Sequence, residues 1–192
     1  MKTLKDFENR MKQLWDEFEE FKKKHGKMSA PEIGDVIEIE GNKWTVLDQG
    51  ENGFFCIGDL IKNSEFGETN NWKDSGIRRF LNGEYLKKLE NEIGVELVEF
   101  ERNLLSLDGQ REYGTVKDFV SLITFDEYRK YRKLLPNTGK WWWTLTPHST
   151  TCNEDGRFVT VVSPSGRIIN DDCGNFSGVR PVCIFPSSLF ES

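Results

Sequence analysis

Residues 141–185 read WWWTLTPHSTTCNEDGRFVTVVSPSGRIINDDCGNFSGVRPVCIF. Two short apolar runs, at 158–162 and 167–169, flank Ser163-Pro164-Ser165-Gly166. Strand-forming residues on both sides of Pro and Gly predict a β-hairpin. Outside the hairpin lie two runs of small polar residues, 144–155 and 170–177, rich in Thr, Ser, Asn and Asp and carrying one cysteine each. Such runs cannot build a core, so they are expected as surface loops, and loops held on a rigid sheet are where binding resides. On a strand, Trp141 and Trp143 point to one face and Trp142 to the other. At least one of those faces is expected in the core; a sugar-stacking platform is the alternative for an outward ring.

Upstream, the chain alternates between short strands and short helices. Val36-Ile37-Glu38-Ile39, Lys43 to Leu47 and Phe54 to Ile57 read as a three-stranded meander with turns at Gly41-Asn42 and at residues 49–53. Over 74–90 the apolar residues Ile77, Phe80, Leu81, Tyr85, Leu86 and Leu89 recur at helical spacing, with Asp74 or Ser75 as the N-cap. Residues 91–107 are a mixed segment and 108–116 a polar loop. A strand at 119–123 leads into Thr124-Phe125-Asp126-Glu127, which fits a capping box and starts a helix running to about Leu134.

The first 26 residues differ from the rest. Leu4, Phe7, Met11, Leu14, Phe18, Phe21 and His25 fall at spacings of three and four, a heptad stripe that is apolar until His25. His25 suits a solvated helix C-terminus, and Gly26 supplies the stop. Two readings compete: an amphipathic helix folded back onto its own domain, or a short parallel bundle that oligomerises the chain. The narrow seam and the apolar flank at Trp15 favour the bundle. Residues 27–34 read as a linker, and 35–192 as the globular domain.

Composition narrows the function classes. The 192 residues suffice for one domain plus an appendage. Although 30% of residues are charged, 14 Phe and 6 Trp supply bulky core material, so the chain is expected to fold. A net charge of −6 argues against a nucleic-acid backbone or an anionic membrane as partner. No apolar run approaches the roughly 20 residues a membrane span needs, and the N-terminus lacks the apolar region of a secretory signal. Synthesis in the cytoplasm is expected, with virion association or surface exposure only by another route.

Few residues suggest catalysis. Cys56, Cys152, Cys173 and Cys183 include no C-x-x-C pair. Cys56 and Cys183 read as small core residues in strands. Cys152 and Cys173 lie in polar runs, where they are either reduced thiols or a bridge formed in an oxidising exterior. His148 is close to Cys152 in sequence but has no evident orienting group for nucleophilic chemistry. Asn153-Glu154-Asp155 and Asn170-Asp171-Asp172 carry oxygen ligands at a spacing that fits no EF-hand, so no metal and no cofactor are expected. Arg180 reads as a structural charge packed between loops and paired with an acid.

Three motifs stand in a fixed order: Trp72-Lys73-Asp74-Ser75-Gly76-Ile77-Arg78-Arg79-Phe80-Leu81-Asn82, then Trp142-Trp143-Thr144-Leu145-Thr146-Pro147, then Gly178-Val179-Arg180-Pro181. Ser165-Gly166-Arg167, Asn170-Asp171-Asp172 and the strand 119–123 followed by Glu127 add to them. Together they resemble the variable proteins of the C-type-lectin-like fold found in gut bacteria and their phages, over about residues 34–186. One departure is the absence of an Arg that the family usually carries after its paired tryptophans. The resemblance implies an α+β, C-type-lectin-like (formylglycine-generating-enzyme-like) domain with an antiparallel sheet and two packed helices; the N-terminal amphipathic, coiled-coil helix read from the heptad stripe precedes it. It also implies a non-catalytic ligand-recognition protein whose polar surface is varied, in some members by a retroelement that mutates adenines. Carried onto this chain, the ligand-binding positions are Thr144, Thr146, His148, Ser149, Thr151, Asn153, Arg157, Asn170, Asp171, Asp172, Asn175 and Ser177. The expected partners are a protein or glycan on a cell surface and, through residues 4–25, further copies of the chain. The competing readings are a phage tail or cell-surface structural protein, and a cysteine-dependent enzyme of the formylglycine-generating type using Cys152 and Cys173.

Overall fold

The computed structural model describes residues 4–25, 28–39 and 41–191, without the side chains of 18–25 and 191. The expectations for the side chains of Phe18, Phe21 and His25, and for Gly26 as a helix stop, therefore fall outside the described residues. Helix α1 spans Leu4–His25. The described part of its apolar stripe does not fold back onto the domain: Leu4, Phe7, Met11, Leu14 and Trp15 are 78, 67, 60, 54 and 63% exposed. No helix among the described residues is long and apolar enough to cross a membrane.

The rest is a mixed α+β fold. Its strands are β1 (Met28–Ser29), β2 (Val36–Ile39), β3 (Asn42–Gly50), β4 (Gly53–Gly58), β5 (Lys62–Ser64), β6 (Phe100–Asn103), β7 (Thr115–Asp118), β8 (Val120–Leu122), β9 (Trp142–Pro147), β10 (Phe158–Val162), β11 (Ile168–Asp172), β12 (Ser177–Val179), β13 (Pro181–Pro186) and β14 (Phe190–Glu191). One five-stranded sheet has the order β2-β3-β4-β13-β8, and its pairs are antiparallel. The expected meander forms one side of it. The other five-stranded sheet has the order β11-β10-β9-β12-β5 and contains the expected hairpin. It is antiparallel except where β12 runs parallel to β9.

The tryptophan run explains why the second sheet lies within the domain. Trp142 belongs to one buried cluster, with Tyr128, Val162 and Val182, while Trp143 belongs to the other, with Phe66, Trp72 and Val161. A strand covered on both faces carries apolar residues continuously rather than in alternation. All of β9 and Val159 to Val162 of β10 are buried, with Thr144, Thr146 and Thr160 interrupting the apolar run. Trp141 sits just before the strand and is 42% exposed.

Gly178-Val179-Arg180-Pro181 is the corner where the chain leaves one sheet for the other. Gly178 N donates to Trp141 O at 2.8 Å, and a Cβ there would lie 2.4 Å from Leu60 Cδ2. Pro181 then begins β13 in the first sheet. Between them Arg180 is buried, its guanidinium 5.3 Å from the Trp142 ring centre, with Nε donating to Gly58 O at 2.8 Å. The expected acid partner is thus replaced by a carbonyl and an indole face; Asp59 acts on Arg180 only as a charge. Burial lowers the guanidinium to about 10, which leaves it charged at neutral pH.

The helical segments clamp the sheets. A 3-10 turn at Trp72–Asp74 leads into α2 (Gly76–Phe80), a π turn at Leu81–Tyr85 and α3 (Leu86–Ile93). Ser75 is the N-cap: its Oγ accepts from Ile77 N and donates to Phe66 O. Trp72 Nε1 and Arg78 Nε both donate to buried Asp118, at 2.7 and 2.8 Å. Asn82 accepts from Phe119 N and Val120 N and donates to Val120 O, so one amide side chain holds the start of β8. Helix α4 (Phe125–Tyr131) begins with the expected capping box at Thr124 and Glu127, followed by a 3-10 turn at Arg132–Leu134.

Three expectations need correction. Met28–Ser29, inside the supposed linker, pairs in parallel with β14. Residues 100–118, read as mixed segment and loop, contain the β6–β7 hairpin. Thr144 to Pro147 and Asn170 to Asp172 lie in β9 and β11 rather than in loops.

Candidate functional site

The segment after β9 is held from beneath by one side chain from a distant part of the chain. Asn70 is fully buried, and its Nδ2 donates to the carbonyls of Ser149, Asp155 and Phe158 at 3.0, 3.1 and 3.0 Å. Its backbone N donates to Gly156 O, and its Oδ1 accepts from Tyr113 Oη at 2.7 Å. Within the segment, Thr151–Asn153 forms a 3-10 turn that ends at Glu154 with φ 58°. Asp155 closes the rest, one carboxylate oxygen taking the backbone N of Arg157 and Phe158 and the other meeting His148 Nδ1 at 3.0 Å.

Two acids from the segment before β7 grip the outside of the loop. Asp108 accepts from Ser149 Oγ at 2.7 Å and Asn153 Nδ2 at 3.1 Å. Hydrogen bonds from Ser106 first and Ser149 second hold its carboxyl down at about 2. Glu112 accepts from Cys152 N at 3.0 Å and Thr151 Oγ1 at 3.1 Å, and a hydrogen bond from the Cys152 thiol leads in lowering its carboxyl. That thiol–carboxylate bond raises the Cys152 thiol, which disfavours the thiolate a nucleophile needs.

The second polar run is tied to the first. Arg157 Nη2 donates to Asp172 Oδ2 at 2.6 Å, and Cys173 N donates to Arg157 O. Asp172 Oδ1 accepts from Gly174 N, while Asp171 Oδ1 accepts from Asn175 Nδ2 at 2.7 Å. The turn after β11 is thus closed by the acids that precede it. A cleft of about 570 Å³ opens beside it, with Arg79, Arg157 and Asp172 among its walls.

The twelve expected positions fall into two groups. Thr144, Thr146, Ser149 and Ser177 are buried and do not present side chains at the free surface. Thr144 Oγ1 donates to Thr160 O, and Thr146 Oγ1 accepts from Phe125 N. These two hydroxyls serve the sheet and the start of α4. Thr151, Asn153, Arg157, Asn170 and Asn175 are exposed; His148, Asp171 and Asp172 are half-buried. Beside them stand aromatic residues that the sequence reading did not single out. Phe176 is 69% exposed, and Phe158, directly across the hairpin from Asp172, is 40% exposed. A lone Phe inside a run of Asn, Gly and Ser was the available signal.

The four cysteines are free thiols. Cys152 is exposed and Cys173 buried. Cys56 and Cys183 face each other across β4 and β13, both in the core, and burial raises both thiols, Cys56 to about 12. Among the described residues, no group of three or more His, Cys, Asp or Glu is placed to hold a metal ion. No protein-family model, curated protein or solved structure matches the chain.

Proposed function

We propose that this chain is a non-catalytic ligand-recognition protein, built on a C-type-lectin-like domain, that binds through residues 148–157 and 170–176. The observation that carries the reading is the pairing of a fixed backbone with an exposed polar surface. Asn70, Asp108 and Glu112 hold the loop from below and outside, while Thr151, Asn153, Arg157, Asn170 and Asn175 stay exposed around Phe158 and Phe176. Small hydrogen-bonding side chains around a few aromatic anchors are the composition of adaptable binding surfaces. A loop ordered before binding also loses less entropy on binding. The excess of acids over bases favours a protein or glycan ligand over nucleic acid. The C-type-lectin-like assignment rests on the ordered motifs, and the structure gives their residues connected roles at Asp118, at Asn82 and at the Arg180 corner.

The test is binding of the purified chain to a glycan array and to a panel of bacterial cell surfaces. Each is repeated with Asn153, Arg157, Asn170 and Asn175 replaced by Ala and with Phe176→Ala. A surface that captures the wild type and releases both variants supports the reading; capture that survives both refutes it. A reverse transcriptase gene beside this one, with a template repeat matching its 3′ end, would add the diversifying role.

A further inference from the structure

We infer that the outward stripe of α1 is a seam at which the chain associates with further copies of itself, with the helices parallel and in register. The inference does not depend on what the polar loops bind. The helix has 22 residues, about 33 Å at a rise of about 1.5 Å per residue. A lone helix in water is marginal, and most helical stability in proteins comes from packing an apolar face. Over its described half, this helix buries none: Leu4, Phe7, Met11 and Leu14 are all more than half exposed. Their spacing leaves a two-in-seven stripe, narrower than the face a helix lays on a globular core and matched to the seam of a coiled coil.

The flanking residues suit a second copy in parallel register. With Leu4 and Met11 at a positions and Phe7 and Leu14 at d, Arg10 and Glu17 fall at g, and Trp15 and Lys22 at e. In a parallel pair each g residue meets the e residue five positions on in its partner. Arg10 then lies against Trp15, a cation over an indole, and Glu17 lies opposite Lys22. Neither pairing sets like charges together. Because β1 starts at Met28, soon after α1 ends at His25, a parallel bundle places the globular domains at one end. Their loop surfaces then act on one target together, which multiplies weak single-site affinity.

The experiment is sedimentation velocity of the full chain at micromolar concentration, on the wild type, on Phe7→Asp with Leu14→Asp, and on charge variants. The expected results are a multimer for the wild type and a folded monomer for the double variant, with the unfolding of the globular domain unchanged. Glu17→Lys alone should weaken the multimer, and Glu17→Lys with Lys22→Glu should restore it. For orientation, Leu4→Cys in a Cys152→Ser background should oxidise to a covalently linked dimer, since only parallel helices bring residue 4 against itself. A monomeric wild type overturns the inference, as does a multimer that survives Phe7→Asp with Leu14→Asp. Failure of the Leu4→Cys cross-link in a multimer overturns the parallel register. Single-site ligand binding should persist in the monomeric variant, so its loss would count against the ligand reading instead.

Discussion

Asn70 and Tyr113, 43 residues apart, meet in a 2.7 Å hydrogen bond beneath the candidate loop, and Asn70 then uses Nδ2 to hold three of that loop's carbonyls. One neutral side chain therefore serves as the keystone for residues 149–158. Asn70→Ala takes the side-chain donor from the Ser149 and Asp155 carbonyls, whereas Phe158 O keeps His148 N, and each buried polar group left without a partner costs about 1–3 kcal/mol. Because water can enter a surface loop, the expected global loss is only about 2–3 kcal/mol. The loop itself should loosen far more, seen as faster amide exchange confined to residues 149–158. Exchange that remains as slow as in the wild type would show that Asp108 and Glu112 suffice without Asn70.

That keystone was not legible in the sequence, because nothing near Asn70 reports on carbonyls 79 to 88 residues away. What could be read was local. The Pro and Gly of residues 163–166 marked the hairpin, and Thr124 with Glu127 marked the start of α4. The stretch 144–147 misled because small polar residues look like a loop, yet Thr144 and Thr146 sit in a central strand with their hydroxyls bonded to neighbouring backbone. Phe100–Asn103 and Thr115–Asp118 pair as a hairpin although six of their eight residues are charged or polar, so periodicity alone could not reveal it.

Acid should destabilise the protein through several carboxylates at once. Burial pushes Glu127 up, but two hydrogen bonds from Arg102, at 2.7 and 2.6 Å, and the Thr124 contacts outweigh it and hold the carboxyl below its ordinary 4.5. Asp48 is lowered chiefly by Lys130 and then Tyr131, and Asp108 lies at about 2. A carboxyl held down in the folded state stabilises above its unfolded value, and that contribution fades as pH falls through the folded value. Stability should thus be level above about pH 4.5 and fall steadily toward about pH 2. Urea unfolding followed from neutral pH downward checks this. Glu127→Gln, which leaves buried Arg102 without its anion, should lose about 3–5 kcal/mol at neutral pH and flatten the acid limb.

Trp142 and Arg180 share the sheet-to-sheet corner but should respond differently to truncation. Trp142→Ala empties a buried ring and should cost about 3–5 kcal/mol. Arg180 is a buried cation whose Nη1 lacks a hydrogen-bond partner, so its desolvation is only partly offset. Replacing buried charge with apolar bulk of similar size is often near neutral. Arg180→Met should therefore cost less than about 2 kcal/mol, the loss of one bond to Gly58 being set against that relief. Equal losses in chemical denaturation would mean that the guanidinium, rather than the ring, organises the corner.

The exposed positions of the second polar run divide into a strand-edge amide, Asn170, and the groups that close the turn. Asp172 carries both Arg157 and the Gly174 amide, and Asp171 carries Asn175. Removing either acid breaks the hydrogen bonds that close the turn and should lower the melting temperature. Asn170→Ala removes an exposed amide from a strand edge and should stay within about 0.5 kcal/mol of the wild type. If the surface recognises a ligand, Asn170→Ala and Phe176→Ala should weaken binding without moving the melting temperature. Asp172→Ala should lower both, because it frees Arg157 and opens the turn. Binding and thermal unfolding measured on the same three variants separate contact from scaffold. Should Asn170→Ala and Phe176→Ala leave binding intact while Asp172→Ala abolishes it, the turn acts as scaffold only and the contact surface lies on residues 148–157.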